Sequence, residues 1–163
     1  MKTLVLMRHG RAEAFSDRES DLGRRLLKSG VADTILIGKR LLDSGFSPDL
    51  IISSMAKRTQ ETAQLMASSL HYDLGKLVVN QQMFEAFEED LLQMIRELPD
   101  EINSVLVVGH NPSISIVGYK LSSTAPFEFP TSAALWLSFN GASWQTARKE
   151  SVVYSHFYHP DNS

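Results

Sequence analysis

Three short apolar runs, each ending abruptly in a polar or basic segment, constrain this chain more than any other feature. The first, Leu4-Val5-Leu6-Met7, passes straight into Arg8-His9-Gly10. The second, Leu50-Ile51-Ile52, ends at Ser53-Ser54, with Arg58 shortly after. The third, Val105-Leu106-Val107-Val108, runs into Gly109-His110-Asn111-Pro112. Because the third run has no polar alternation, it predicts a strand buried on both faces. Helical patterns lie between these runs, and such alternation predicts an α/β fold with a mostly parallel sheet. In open sheets of that kind, ligands bind beyond the carboxyl ends of the strands. As parallel neighbours, the three strands would gather Arg8, His9, Arg58 and His110 around one crevice. Gly10 would let the backbone turn sharply there and approach a ligand closely.

The remaining elements follow from periodicity and punctuation. Residues 11–25 are polar and predict a loop. Residues 29–44 predict a helix with Ser29 as N-cap and Gly45 as C-cap. A second helix is expected over about 55–70, capped by Ser53 or Ser54, with Ala63, Met66, Ala67 and Leu70 on its apolar face. Leu77-Val78-Val79 predicts a short strand. Residues 88–97 predict a helix with Glu88, Glu89 and Asp90 in a first turn whose dipole favours them. Asn111 and Pro112 fit the N-cap and first position of another helix, lined by Ile114, Val117, Gly118 and Leu121. From Ala134 the tail predicts two or three antiparallel strands, over 134–139, 144–148 and 152–157.

Composition removes several alternatives. With 163 residues, 43% hydrophobic and 21% charged, the chain is expected to form one globular domain over 1–163. A net charge of −3 argues against non-specific binding to nucleic acid or anionic membrane. No apolar run nears the roughly 18 residues of a membrane span. The N-terminus lacks a signal-peptide pattern, so a cytoplasmic location is expected. The absence of cysteine excludes disulfides, thiolate metal sites and cysteine nucleophiles. There is no Gly-x-Ser-x-Gly elbow and no Walker loop. A covalent route therefore needs another nucleophile, and histidine is the candidate.

The predicted crevice suits a phosphoryl group. Two arginines can clamp its oxygens bidentately, and two helix N-termini would add their positive ends. One histidine can attack phosphorus and carry it as a phosphoramidate. The other can offset charge in the transition state. A carboxylic acid opposite the nucleophile would protonate a leaving group, a contribution of about 10²–10⁴-fold. Glu85 is the candidate, although spacing alone does not separate it from Glu88 or Glu89. No metal site or cofactor is expected.

In these motifs the chain resembles the histidine phosphatase (phosphoglycerate mutase-like) superfamily, and within it the short SixA-type phosphohistidine phosphatases. Met7-Arg8-His9-Gly10 is similar to the nucleophile signature. Arg24-Arg25-Leu26 with Gly30 resembles an Arg-Pro-Leu-Thr-x-x-Gly segment, and residues 53–63 resemble Ser-Ser-Pro-x-x-Arg-Ala-x-Gln-Thr-Ala. Gly109-His110-Asn111-Pro112 is similar to the second-histidine motif. Phe129-Pro130-Thr131-Ser132-Ala133 resembles the stretch that closes the phosphate site. The chain departs from the pattern at Arg25, Leu27, Met55 and Glu61. Arg11-Ala12-Glu13 lacks the residues that mutases place after Arg-His-Gly.

The resemblance implies a three-layer α/β/α fold with antiparallel C-terminal strands. It also implies a metal-independent phosphatase with a phospho-His9 intermediate. Arg8, Arg58 and His110 would form the phosphate pocket, Asn111, Thr131 and Ser132 would contact substrate, and Glu85 would align with the mutase acid. The expected substrate is a phosphohistidine-bearing signalling or phosphotransfer protein. The alternative is a broader phosphomonoesterase acting on small phosphorylated metabolites, and a third reading is a non-catalytic phosphate-binding module. Arg24 and Arg25 are expected as loop charges, with contact of one of them to substrate as the alternative. His71, His156 and His159 are expected as surface residues, and Trp136 and Trp144 as packing.

Overall fold

A computed structural model describes residues 1–15 and 21–161, so part of the expected 11–25 loop lies outside the described residues. The chain begins with β1 (Lys2–Arg8), α1 (Lys28–Asp43), β2 (Leu50–Ser54) and α2 (Lys57–Ser69). It continues through β3 (Val78–Asn80), α3 (Glu88–Arg96), β4 (Ser104–Gly109) and α4 (Ser113–Leu121). It closes with β5 (Ala134–Phe139) and β6 (Val152–Tyr158). Among the described residues these strands form one six-stranded sheet in the order β3-β2-β4-β1-β5-β6. The pairs β3–β2, β2–β4 and β4–β1 are parallel, whereas β1–β5 and β5–β6 are antiparallel.

Strand alternation divides the core into two layers. Leu4, Leu6, Val105 and Val107 face one way, onto Leu91 and Ile95 of α3 and Ile114 and Val117 of α4. Val5, Met7, Leu106 and Val108 face the other way, onto Ile37 and Leu41 of α1 and Ala63, Met66 and Ala67 of α2. The result is the expected α/β/α sandwich. Burial of each such aliphatic side chain contributes about 1.5–3 kcal/mol. Lys2 anchors the far end of the sheet, where its Nζ donates to Ile102 O and Asn103 Oδ1 at 3.0 Å each.

Several local expectations are corrected. α1 starts one residue early, with Leu27 as N-cap and no side-chain cap, so Ser29 lies inside the helix. α2 starts at Lys57 after Ala56, later than a Ser53 or Ser54 cap would set it. Those serines are spent elsewhere: Ser53 Oγ donates to Ser54 O, and Ser54 Oγ meets His110 at 2.8 Å. α4 starts at Ser113 after a cis Asn111–Pro112 peptide, so Asn111 is not its cap. Residues 78–80, one place beyond the expected 77–79, form β3. The expected strand at 144–148 is a short 3₁₀ turn, Trp144–Thr146, whose buried indole donates to Ile102 O at 2.7 Å. Gly45 does follow the end of α1 with φ +88, the left-handed conformation a glycine tolerates.

Candidate active site

Register brings the two histidines together. Arg8 pairs with Gly109 across the parallel β1–β4 ladder, so His9 and His110 are each the next residue at the same sheet edge. Their ring centroids lie 5.4 Å apart. On the other side of β4, Ser53 pairs with Val108, and this sets Ser54 beside His110. Arg58 enters from the first turn of α2 and is 5% exposed. Its Nη2 lies 3.4 Å from His110 Nδ1. Side chains separated by about a hundred residues of chain thus meet in one cavity of about 410 Å³.

The His9 main chain is fixed from three directions. Its N–H donates to Gly109 O at 3.1 Å, its carbonyl accepts from Ser132 N at 3.1 Å, and Gly10 N donates to Thr62 Oγ1 at 3.0 Å. The ring is oriented by Nδ1, which lies 2.8 Å from Gly10 O. A carbonyl can only accept, so Nδ1 carries the hydrogen and Nε2 keeps its lone pair. At His110 a guanidinium, which can only donate, faces Nδ1. The neutral ring therefore carries its hydrogen on Nε2, toward Ser54 Oγ.

Both imidazoles are neutral at pH 7. Burial, reinforced by the neighbouring arginines, lowers His9 to about 4. Burial, with His9 and Arg58 nearby, lowers His110 to about 3.

The guanidiniums are only partly satisfied. Arg8 Nη1 donates to Phe129 O at 2.9 Å. Arg58 Nη1 donates to Asp21 O at 2.8 Å, and its Nη2 reaches Asp21 Oδ2 at 3.3 Å. The Nε of each is buried without a hydrogen-bond partner, a cost of about 1–3 kcal/mol apiece. Two desolvated cations beside two neutral imidazoles make a site whose chemistry favours an anion.

The expected residues are not all brought to this cavity. Arg8, His9, Arg58, His110, Asn111 and Thr131 line it. The Asn111 side chain is already engaged, with Nδ2 donating to Phe129 O at 2.9 Å and Oδ1 accepting from Ser115 Oγ. Ser132 lies beneath the surface, fully buried, with its Oγ 3.1 Å from Thr34 Oγ1. Its role here is to hold the His9 carbonyl rather than to touch a ligand. Glu85 is exposed and lines a neighbouring cavity with Asp90 and Leu91, while its neighbour Phe84 faces the site edge-on to His110 at 5.6 Å.

Sequence reasoning missed Arg11, Ala12, Asp21 and Phe84 as lining residues. Arg24, expected first as a loop charge with reach to substrate as the alternative, also lines the cavity. Asp21 bridges Arg24 Nε at 2.8 Å and Arg58, and these two cations hold its carboxyl below the usual range despite burial acting the other way. The Asp21/Arg24 spacing of three was the available signal, but a polar loop offers many such pairs.

The family model for the histidine phosphatase superfamily (branch 1) matches residues 4–85, half of the chain. The proposed phosphohistidine phosphatase SixA from Agrobacterium tumefaciens is 30% identical, with TM-score 0.77, and the match covers 85% of this chain and 92% of that one. The proposed SixA from Nakamurella multipartitia is 23% identical, with TM-score 0.82 over 99% of this chain and 97% of that one. The protein histidine phosphatase SixA complexed with tungstate is 20% identical, with TM-score 0.77 over 97% of each chain. The chain belongs to the histidine phosphatase superfamily, branch 1, and is a SixA-type phosphatase of that superfamily.

Proposed function

We propose that this phosphatase hydrolyses phosphohistidine carried by a signalling or phosphotransfer protein, through a phosphoryl group held on His9. Arg8 and Arg58 receive the phosphoryl oxygens, with His110, Asn111 and Thr131 at the cavity wall. The His9 Nε2 lone pair forms a new N–P bond in line as the substrate P–N bond breaks. The electron pair leaves on the substrate ring, already protonated at its other nitrogen, which departs as neutral imidazole. Water then attacks phosphorus, the bond to His9 breaks, and inorganic phosphate leaves with His9 restored to its neutral form.

One observation carries the choice of leaving group. Among the described residues, Asp21 is the carboxylate that lines this cavity, and Arg24 and Arg58 hold it ionised, so it is a poor proton donor. Glu85 lies outside the cavity lining. An ester would expel an alkoxide and needs a general acid. An imidazole titrates near neutral pH and can bring its own proton. Phosphate release from a phosphohistidine peptide, measured beside a panel of sugar phosphates, tests the reading. A strong preference for the peptide is expected, and a strong preference for the sugars would replace it with the small-ester alternative.

A further inference from the structure

The crevice does not end at its phosphate-binding side chains. Asn111, at its wall, also lines a second cavity of about 270 Å³, together with Pro112, Ile116, Phe127 and Glu128. Phe127 is 77% exposed and Tyr119 is 50% exposed, and their rings meet edge-on at 5.8 Å. An exposed aromatic pair beside a binding crevice marks a surface that something covers. The segment bearing Phe127 is tied down. Phe129 N donates to Ser115 Oγ at 3.1 Å, and Phe129 O accepts from both Arg8 and Asn111. Phe127 therefore stands two residues from a point anchored to the phosphate-binding arginine. Glu128 is close enough for its carboxylate to act on Arg8.

A second flank has similar chemistry. Beyond Phe84, a cavity of about 350 Å³ sets Leu91 and Met94 beside Glu85 and Asp90. Ser113 Oγ donates to Ala86 O at 2.6 Å and links α4 to that flank. The centre is thus basic, and both flanks are apolar and acidic.

We infer that the Phe127 shelf is a subsite for the carrier of the phosphoryl group, and that the carrier is a protein surface with apolar and basic side chains around its phosphohistidine. The inference rests on the phosphohistidine reading above. A small ester confined to the crevice reaches neither Phe127 nor Glu128, since neither lines it. A protein that lowers an imidazole into the crevice must lie across the flanks, and basic side chains there complement Glu128, Glu85 and Asp90.

Three substrates test this: a peptide with phosphohistidine between leucines and lysines, the same peptide with serines and glutamates, and free phosphohistidine. The unaltered enzyme is expected to prefer the Leu/Lys peptide about tenfold in kcat/KM over the Ser/Glu peptide. Phe127→Ala should remove most of that preference through KM while leaving free phosphohistidine turnover within about twofold, and Glu128→Gln should remove a smaller part of the preference. Both side chains are exposed, so both variants should keep the fold. Equal rates on the two peptides would overturn the shelf and leave the phosphohistidine reading standing. So would a preference that survives Phe127→Ala, or an equal loss on free phosphohistidine. Hydrolysis of sugar phosphates with none of the three substrates cleaved would remove both.

Discussion

The hydrogen on His9 Nδ1, donated to Gly10 O, leaves Nε2 with a free lone pair, so the proposed nucleophile rests on one oriented ring. His9→Ala should abolish turnover with an unchanged circular dichroism spectrum. Incubation with a phosphodonor should label the unaltered protein, but not this variant, with acid-labile, alkali-stable phosphate. Arg58 offers a planar fork that a lysine cannot copy. Arg58→Lys should keep the charge yet lose about 10²–10³ in kcat/KM, the cost of removing one well-placed donor. Because burial lowers His9 to about 4, its ring stays neutral, and the proposed nucleophile stays competent, well below pH 6. The enzyme limb of the kcat/KM profile, corrected for substrate ionisation, should stay flat to about pH 5 and fall below it. A limb near 6.5 would mean that the ring is hydrated rather than buried.

At the scale of elements, the site is built from strand–loop–helix junctions whose close approach depends on glycine. A Cβ on Gly30 would stand 2.2 Å from Arg11 O, so the start of α1 can meet the loop after His9 only without a side chain. Gly30→Ala should destabilise the fold by about 1–3 kcal/mol, read as a lower urea midpoint. Its activity should fall further than Tm predicts, because Arg11 lines the cavity. The departure at Glu61 also has a role: its Oε1 accepts from Leu26 N at 3.0 Å and pins the segment after Arg24 to α2. Strands β1, β2, β4 and β5 were legible because continuous apolar runs mark buried strands. Helix starts were less legible, since Ser53, Ser54 and Asn111 have polar atoms that the site uses instead of the caps. The Trp144 segment misled because an aromatic flanked by polar residues fits an edge strand as well as a buried turn.

Across the whole molecule, the same burial that tunes the histidines couples stability to pH. Their folded pKa values, about 4 and about 3, lie below the unfolded value of roughly 6.5, so the unfolded chain binds more protons in between. Stability is therefore full above about pH 6.5 and declines as pH falls toward 4. The urea midpoint should follow that course, and His9→Asn should flatten its slope. Turnover should be unchanged by EDTA, because in the proposed mechanism two guanidiniums offset the phosphoryl charge; loss on chelation would require a metal in the mechanism.

What the chain alone determined was the α/β alternation, the strands that end in Arg8-His9 and Gly109-His110, and which residues are candidates to bind and attack phosphorus. These are local matters of apolar runs and side-chain chemistry. Only the tertiary structure decided that Ser132 lies under the site, that Glu85 lies outside its lining and that Asp21 occupies Arg58. Those outcomes depend on sheet register and on loop packing between residues distant in sequence, and no short window of residues encodes either.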